Sequence, residues 1–200
     1  IPAAIGLFVL AEPIIAAIFY GGMFDSHDVF LTALSLKAFS IGLIGFSFVK
    51  ILSPAYFARK DTLTPVKIGI YCLLLNIILG SSSAYYLNKI DYEGTHLGLA
   101  LSISVAAILN AGLLFSGLKK KNIIKRLSGF KEFIVKLLIA NSFMLIFLTY
   151  TIQPLEWWLG LGVLKRFSWL AFFILVSVGI YVLILSLLGM KIKELRFQEE

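Results

Sequence analysis

The chain has 200 residues, of which 60% are hydrophobic and only 14% charged, with a formal net charge of +7 and a mean hydropathy of +0.95. A soluble domain is nearer half apolar and a quarter charged, so this composition excludes one. Apolar runs of about 20 residues recur, enough to cross a hydrocarbon core about 30 Å thick, and the short alternating strands of a transmembrane β-barrel do not appear.

The expected fold is therefore all-α, a polytopic transmembrane bundle of about six helices. The first span is expected at about residues 1–20. It starts inside an apolar run without Met or a basic leader, so the sequence reads as the C-terminal part of a longer protein, with no signal peptide visible. Glu12 and Pro13 lie in its middle. Proline leaves the carbonyl four residues back without its bond, so Phe8, Val9 and Glu12 surround a weakened stretch of backbone.

A loop over 21–28 with two adjacent glycines follows, then a long second span at about 29–57 that carries Lys37 and Lys50. Its length implies tilt or a kink near its end at Pro54. A short polar elbow, Arg59-Lys60-Asp61-Thr62, leads to Pro65. Proline fits the first turn of a helix, so Pro65 marks the start of a third span at about 66–87. The polar loop 88–95 precedes a fourth span at about 96–118, and the basic stretch 119–131 precedes a fifth at about 133–152. A loop with Pro154, Trp157 and Trp158 leads to a sixth span at about 167–190 and the tail KIKELRFQEE.

The lone Cys72 sits in an apolar segment, which excludes a disulfide framework. His27 and His96 lie in different loops, too few for a metal site. The excess positive charge gathers at helix ends, so membrane topology accounts for it better than nucleic acid does. Twelve lysines and arginines fall in the elbow with its flank up to Lys67, the 119–131 loop and the tail, against three in the opposite loops, Lys89, Lys165 and Arg166. Positive charge marks the cytoplasmic side, which puts the elbow, the basic loop and the C-terminus there. The paired tryptophans with Trp169 then suit an aromatic belt at the outer interface.

The run from Lys50 to Lys67, KILSPAYFARKDTLTPVK, has the pattern K-x-L-x-P-x-(Y/F)-x-A-R-x-D-T-x-T-P-V-K. With Ala11–Phe24 (AEPIIAAIFYGGMF), the segment around Asn76, and His96–Leu114 (HLGLALSISVAAILNAGLL), it resembles the MurJ/MviN lipid II flippases of bacterial peptidoglycan synthesis. That family belongs to the multidrug/oligosaccharidyl-lipid/polysaccharide exporter superfamily. The resemblance covers residues 1 to about 120; beyond them only hydropathy and loop charge agree. It implies fourteen helices in a full-length member. Residues 1–118 would be the last four of the second lobe, 119–131 a basic cytoplasmic loop, 132–190 a terminal pair beside a polyprenyl groove, and 191–200 a cytoplasmic tail.

Charges inside a membrane need a cavity, a partner or a route to the interface. Lys50 either snorkels toward the elbow or faces a cavity and attracts a lipid diphosphate. Lys37 lies deeper, and a spacing of 13 sets the two roughly 140° apart around a helix. With Arg59 they form the candidate diphosphate set. Glu12, Pro13, Pro54 and Pro65 are the candidate gating and kink residues, Glu12 being either a boundary carboxylate or a cavity carboxylate. Asn76 and Asn110 fall at matching depths on neighbouring antiparallel helices, as do Gly80 and Ser104. They imply either interhelical hydrogen bonds with small-residue packing or a coupling-cation site of Asn76, Ser104 and Asn110. Some family members bind sodium between the corresponding helices, but Gly80 stands where an acid would strengthen that reading.

The resemblance thus implies a fragment of a flippase that moves lipid II across the bacterial cytoplasmic membrane by alternating access. The expected partners are lipid II or a related polyprenyl-diphosphate lipid, membrane lipids and cell-wall synthesis proteins, without a cofactor beyond a monovalent coupling cation. The rivals are an exporter of another polyprenyl-linked saccharide or a drug, and a non-transporting membrane scaffold. No nucleophile–base set, metal cluster or phosphate loop points to an enzyme.

Overall fold

The computed structural model describes residues 1–90, 92–121 and 130–189. Most of the expected basic loop and the whole of the tail over 191–200 lie outside the described residues. The described residues fold into eight helices: α1 (Pro2–Val9), α2 (Ala11–Phe19), α3 (Ser26–Phe57), α4 (Leu63–Lys89), α5 (Thr95–Lys120), α6 (Phe130–Thr151), α7 (Leu155–Leu159) and α8 (Val163–Leu187). Among the described residues there is no strand, only an isolated bridge between Gly21 and Phe24. Among the described residues five helices are long and apolar enough to cross a membrane, or six spans if α1 and α2, bent by 63° at their junction, count as one. The all-α bundle expected from the composition is what forms.

The bend sits where the sequence weakens the helix. Pro13 cannot donate to Val9, and Leu10 closes α1 by bonding the Gly6 carbonyl at 2.9 Å while its own carbonyl accepts from Ile14 at 2.9 Å. The span predicted at 1–20 is thus two short helices meeting at a buried Leu10. Pro54 lies inside α3, which continues three residues beyond it, and Pro65 falls in the first turn of α4.

The chain packs as two units. One gathers residues 1–18 with the described part from 130 onward, in which α6 packs against α8 and α1 contacts both. The other runs from residue 19 and contains α3, α4 and α5. There α5 is the central helix, with α3 on one side and α4 on the other. A capping box starts α3: the Asp25 carboxylate accepts from the backbone N–H of His27 and Asp28, and Asp28 accepts from that of Asp25.

Contacts between α3 and α5 pair Ala38 with Ser104, Gly45 with Ala107, and Tyr56 with Leu114, so the two helices run parallel. Glycine makes their approach possible. A Cβ on Gly42 would lie 2.8 Å from the Ser104 Cα, and one on Gly45 would lie 2.6 Å from the Ala107 carbonyl carbon. In lipid, where apolar burial adds little between helices, close small-residue contact is the main source of association. Gly45→Ala should therefore cost roughly 1–3 kcal/mol, the scale of overpacking. Gly69→Ala, with open space around the added methyl, should be neutral or better, because alanine is the stronger helix former. Reversible unfolding in detergent micelles distinguishes them, and equal effects would refute the close-approach account.

Candidate functional site

The elbow between α3 and α4 is built from its own backbone first. Lys60 N–H bonds the Phe57 carbonyl at 2.9 Å and Asp61 N–H bonds that of Tyr56 at 3.1 Å. This is the paired closure of a Schellman motif, and it forces Lys60 into the left-handed region at φ 59°. Glycine is the usual occupant there, and any other L-residue costs about 1–2 kcal/mol. Asp61 then caps α4, accepting from the Thr64 N–H at 3.1 Å and the Thr64 hydroxyl at 2.9 Å. The same carboxylate takes Lys121 Nζ at 2.6 Å, joining the start of α4 to the end of α5.

Lys121 Nζ also lies 5.5 Å from the centroid of the Tyr56 ring. Tyr56 is almost completely buried, and its hydroxyl donates to the Leu114 carbonyl at 2.8 Å. Gly117 leaves room for that hydroxyl, because a Cβ there would collide with it. One network thus locks the ends of three helices. The Lys121 ammonium first, then the Thr64 hydroxyl and backbone N–H, hold the Asp61 carboxyl down at about 2. Sequence reading named Arg59 and Pro65 here and missed Tyr56, Asp61 and Lys121; the available signal was an aspartate four residues before a first-turn proline.

Of the expected diphosphate residues, Lys50 is exposed on α3, Lys37 is half-buried and Arg59 is exposed in the elbow. Pro54 withdraws the N–H that would bond the Lys50 carbonyl, and the Lys37 carbonyl accepts from the Ser40 hydroxyl at 2.6 Å. Glu12 is half-buried in the first turn of α2 beside buried Pro13, where a carboxylate is favoured by the helix dipole.

The asparagines do not pair as their depth suggests. Asn76 Oδ1 accepts from Ser102 Oγ at 2.9 Å, and Asn110 Oδ1 is buried without a hydrogen-bond partner. Ser104 faces the other way and donates to the Ala38 carbonyl on α3 at 2.7 Å. Two residues turn a helix by about 200°, so Ser102 and Ser104 serve opposite neighbours. Gly80 correspondingly packs on Ser102, not on Ser104. Asn76 and Ser104 are thus engaged on opposite sides of α5, so the expected oxygens of Asn76, Ser104 and Asn110 are not gathered around one point. Among the described residues no metal-holding group of His, Cys, Asp or Glu occurs either. A cleft of about 340 Å³ between α4 and α5 is largely apolar, and its two serine hydroxyls already bond within the protein, Ser83 to Gly80 and Ser102 to Asn76.

In the other unit, the charge that sequence assigned to a loop is buried. Arg166, 5% exposed, donates to the carbonyls of Trp158 (3.0 Å), Leu159 (2.9 Å) and Ala16 (3.3 Å). Those carbonyls end α7 and α2, so one guanidinium serves the negative ends of two helices. Trp158 is fully buried and donates Nε1 to the Gln153 carbonyl at 3.2 Å. It is a core residue and not part of an aromatic belt; Trp169, stacked edge-on with Trp157 at 5.7 Å, remains exposed.

Five long apolar helices, a bent pair at the start and lysines placed within the long α3 define a polytopic α-helical membrane protein. The sequence model of the family described as Lipid II flippase MurJ matches residues 1–187. The chain is 34% identical over 200 residues to a probable lipid II flippase MurJ of Vibrio cholerae, covering 100% of this chain and 37% of that protein. It is 36% identical over 191 residues to the Haemophilus influenzae protein so named, covering 96% and 36%. With the lipid II flippase MurJ of Burkholderia cenocepacia it shares 40% identity over 136 residues, covering 68% and 25%. The chain belongs to the MurJ lipid II flippase family. It spans about a third of the length of the first two relatives.

Arg166→Met should cost roughly 2–4 kcal/mol, since buried carbonyls lose charged donors worth about 1.5–3 kcal/mol each, non-additively. Lys165→Met next to it, on an exposed side chain, should stay within about 0.5 kcal/mol; comparable losses in micelle unfolding would contradict the clamp. The depressed Asp61 carboxyl adds stability that is fully present above the ordinary carboxylate pKa, 3.8, and is lost as pH falls toward about 2. Asp61→Asn should therefore be less stable than the parent at neutral pH and lose less between pH 4 and 2. A pH series of unfolding midpoints checks it, parallel curves counting against the latch.

Proposed function

We propose that the protein containing this chain moves lipid II, or a closely related polyprenyl-diphosphate lipid, across the bacterial cytoplasmic membrane by alternating access. The observation that carries this reading is the family match over residues 1–187, which includes the hallmark elbow and the lysine-bearing helix before it. On this reading residues 1–118 supply the last four helices of the second lobe and 132–190 the terminal pair. On the same reading the elbow and the C-terminus are cytoplasmic, which the charge bias of the sequence supports. Cell-wall synthesis proteins that make or use the lipid are the partners such a transporter would serve.

Lys50 has the role of receiving the diphosphate. It stands one turn before Pro54, exposed, between Arg59 at the elbow and Lys37 deeper along α3. The three provide positive charge at successive depths, Lys37 and Lys50 about 20 Å apart along the helix axis at 1.5 Å per residue. Attraction between ammonium and diphosphate is strongest where water is scarce. Growth of a flippase-depleted bacterium on the full-length gene tests the assignment. Lys50→Arg keeps the charge but alters its shape and hydration and should retain partial function. Lys50→Gln should lose most of it at normal membrane abundance. Growth with Lys50→Gln equal to that of the parent would make Lys50 an anchor at the membrane surface.

A further inference from the structure

We propose that the elbow end of the α3–α4–α5 unit is a docking surface for the phosphate headgroups of anionic phospholipids, held by Lys60, Lys67, Lys119 and Lys120. The surface is distinct from the lysine series within α3 and does not depend on which lipid the protein transports.

The unit is electrically polarised. Parallel α3 and α5, with α4 returning between their ends, bring Arg59, Lys60, Lys67, Lys119, Lys120 and Lys121 to one end beside Asp61, the single acid there among the described residues. Among the described residues the other end carries Asp25, Asp28 and Glu93 against Lys89, with His27 and His96. At the basic end the one acid is occupied, since Asp61 is bonded to Lys121 and Thr64. Lys60, Lys67, Lys119 and Lys120 are all exposed around that closed pair.

Lys60 supplies an independent reason. The Schellman closure needs its left-handed backbone, which glycine would adopt without strain, yet a lysine holds the position at φ 59°. An unfavourable backbone state held by a charged, exposed side chain points to use of the charge. The neighbouring surface selects a lipid over a free anion: Leu63 and Val66, between Lys60 and Lys67, are 68% and 54% exposed. Cations interleaved with bare aliphatic side chains match the junction of headgroup and acyl chain, where lysines near anionic lipid each add favourable binding.

The test uses the full-length protein in nanodiscs, with Thr62→Cys carrying a donor dye in a background without other reactive cysteines. Energy transfer is measured to acyl-labelled phosphatidylglycerol and to equally labelled phosphatidylcholine. The parent should enrich phosphatidylglycerol, and Lys89→Gln at the opposite end should do the same. Replacing all four lysines by Gln should lower the enrichment roughly ten-fold or more. Replacing all four by Arg should keep it, and about 1 M salt, with a Debye length near 3 Å, should abolish it in both. Lys60→Gly should weaken the enrichment without lowering the unfolding midpoint in phosphatidylcholine, a combination that a purely structural lysine would not give. Equal transfer to both lipids in the parent would overturn the proposal. So would enrichment that survives the four Gln substitutions, enrichment unchanged by Lys60→Gly, or complete competition by millimolar inorganic phosphate, which would make the site one for a free anion.

Discussion

The contact between the backbones of α3 and α5 is the constraint on which the larger unit depends. Helices in lipid gain little from apolar burial, because the surrounding chains are as apolar as leucine. Dispersion at short range and hydrogen bonds must supply the association, and both need close approach. Gly42 and Gly45 bring α3 against the Ser104 and Ala107 backbone, which lets Ser104 reach the Ala38 carbonyl. Helix α4 packs mainly on the opposite side of α5, where Gly80 meets Ser102 and Gly98 meets Ser83. Losing the α3–α5 contact would leave α4 attached to a helix with no fixed place.

Polar groups are settled mainly at helix ends, where backbone carbonyls and N–H groups lack intrahelical partners. Asp61 takes the start of α4 and Lys121 the end of α5, with Tyr56 reaching across to a Leu114 carbonyl. Arg166 does the corresponding work for α2 and α7. Within the helices the accounts are less complete. Ser35, Asn110 and Asn141 each bury an oxygen with no hydrogen-bond partner, the kind of exception that calls for an explanation in a folded protein. Asn141 still spends its amide on the Leu137 carbonyl one turn back.

Hydropathy located the spans to within a few residues, since each apolar run is bounded by glycine, proline or charge. The break in the first span was legible in Pro13, though its position at Leu10 was not, because packing decides which side of a weakened carbonyl gives way. Rotation about the helix axis was not legible at all. Ser102 and Ser104 look interchangeable in a run of small residues, and only the positions of α3 and α4 send one to Asn76 and the other to Ala38. The same gap hid Arg166. A charge beside a glycine-rich turn reads as a loop charge until the short helix α7 is seen to end on it. Charge statistics treat every arginine alike, and burial with satisfied donors is what separates a clamp from a topology signal.

The bend at Leu10 and the buried Arg166, both in the smaller unit, bear on the same helix. A nine-residue helix is too short to hold its shape alone, and α2 is cut off from α1 by a 63° bend. Its direction must therefore come from tertiary contacts. Ala11 and Ala16 are fully buried, which fixes one face, while Arg166 takes the Ala16 carbonyl near its end. Pro13 frees the N-terminal side and Arg166 holds the C-terminal side. The bend beside Pro13 and the Arg166 contact thus bear on one short helix from positions about 150 residues apart, too far along the chain for any local pattern to connect them.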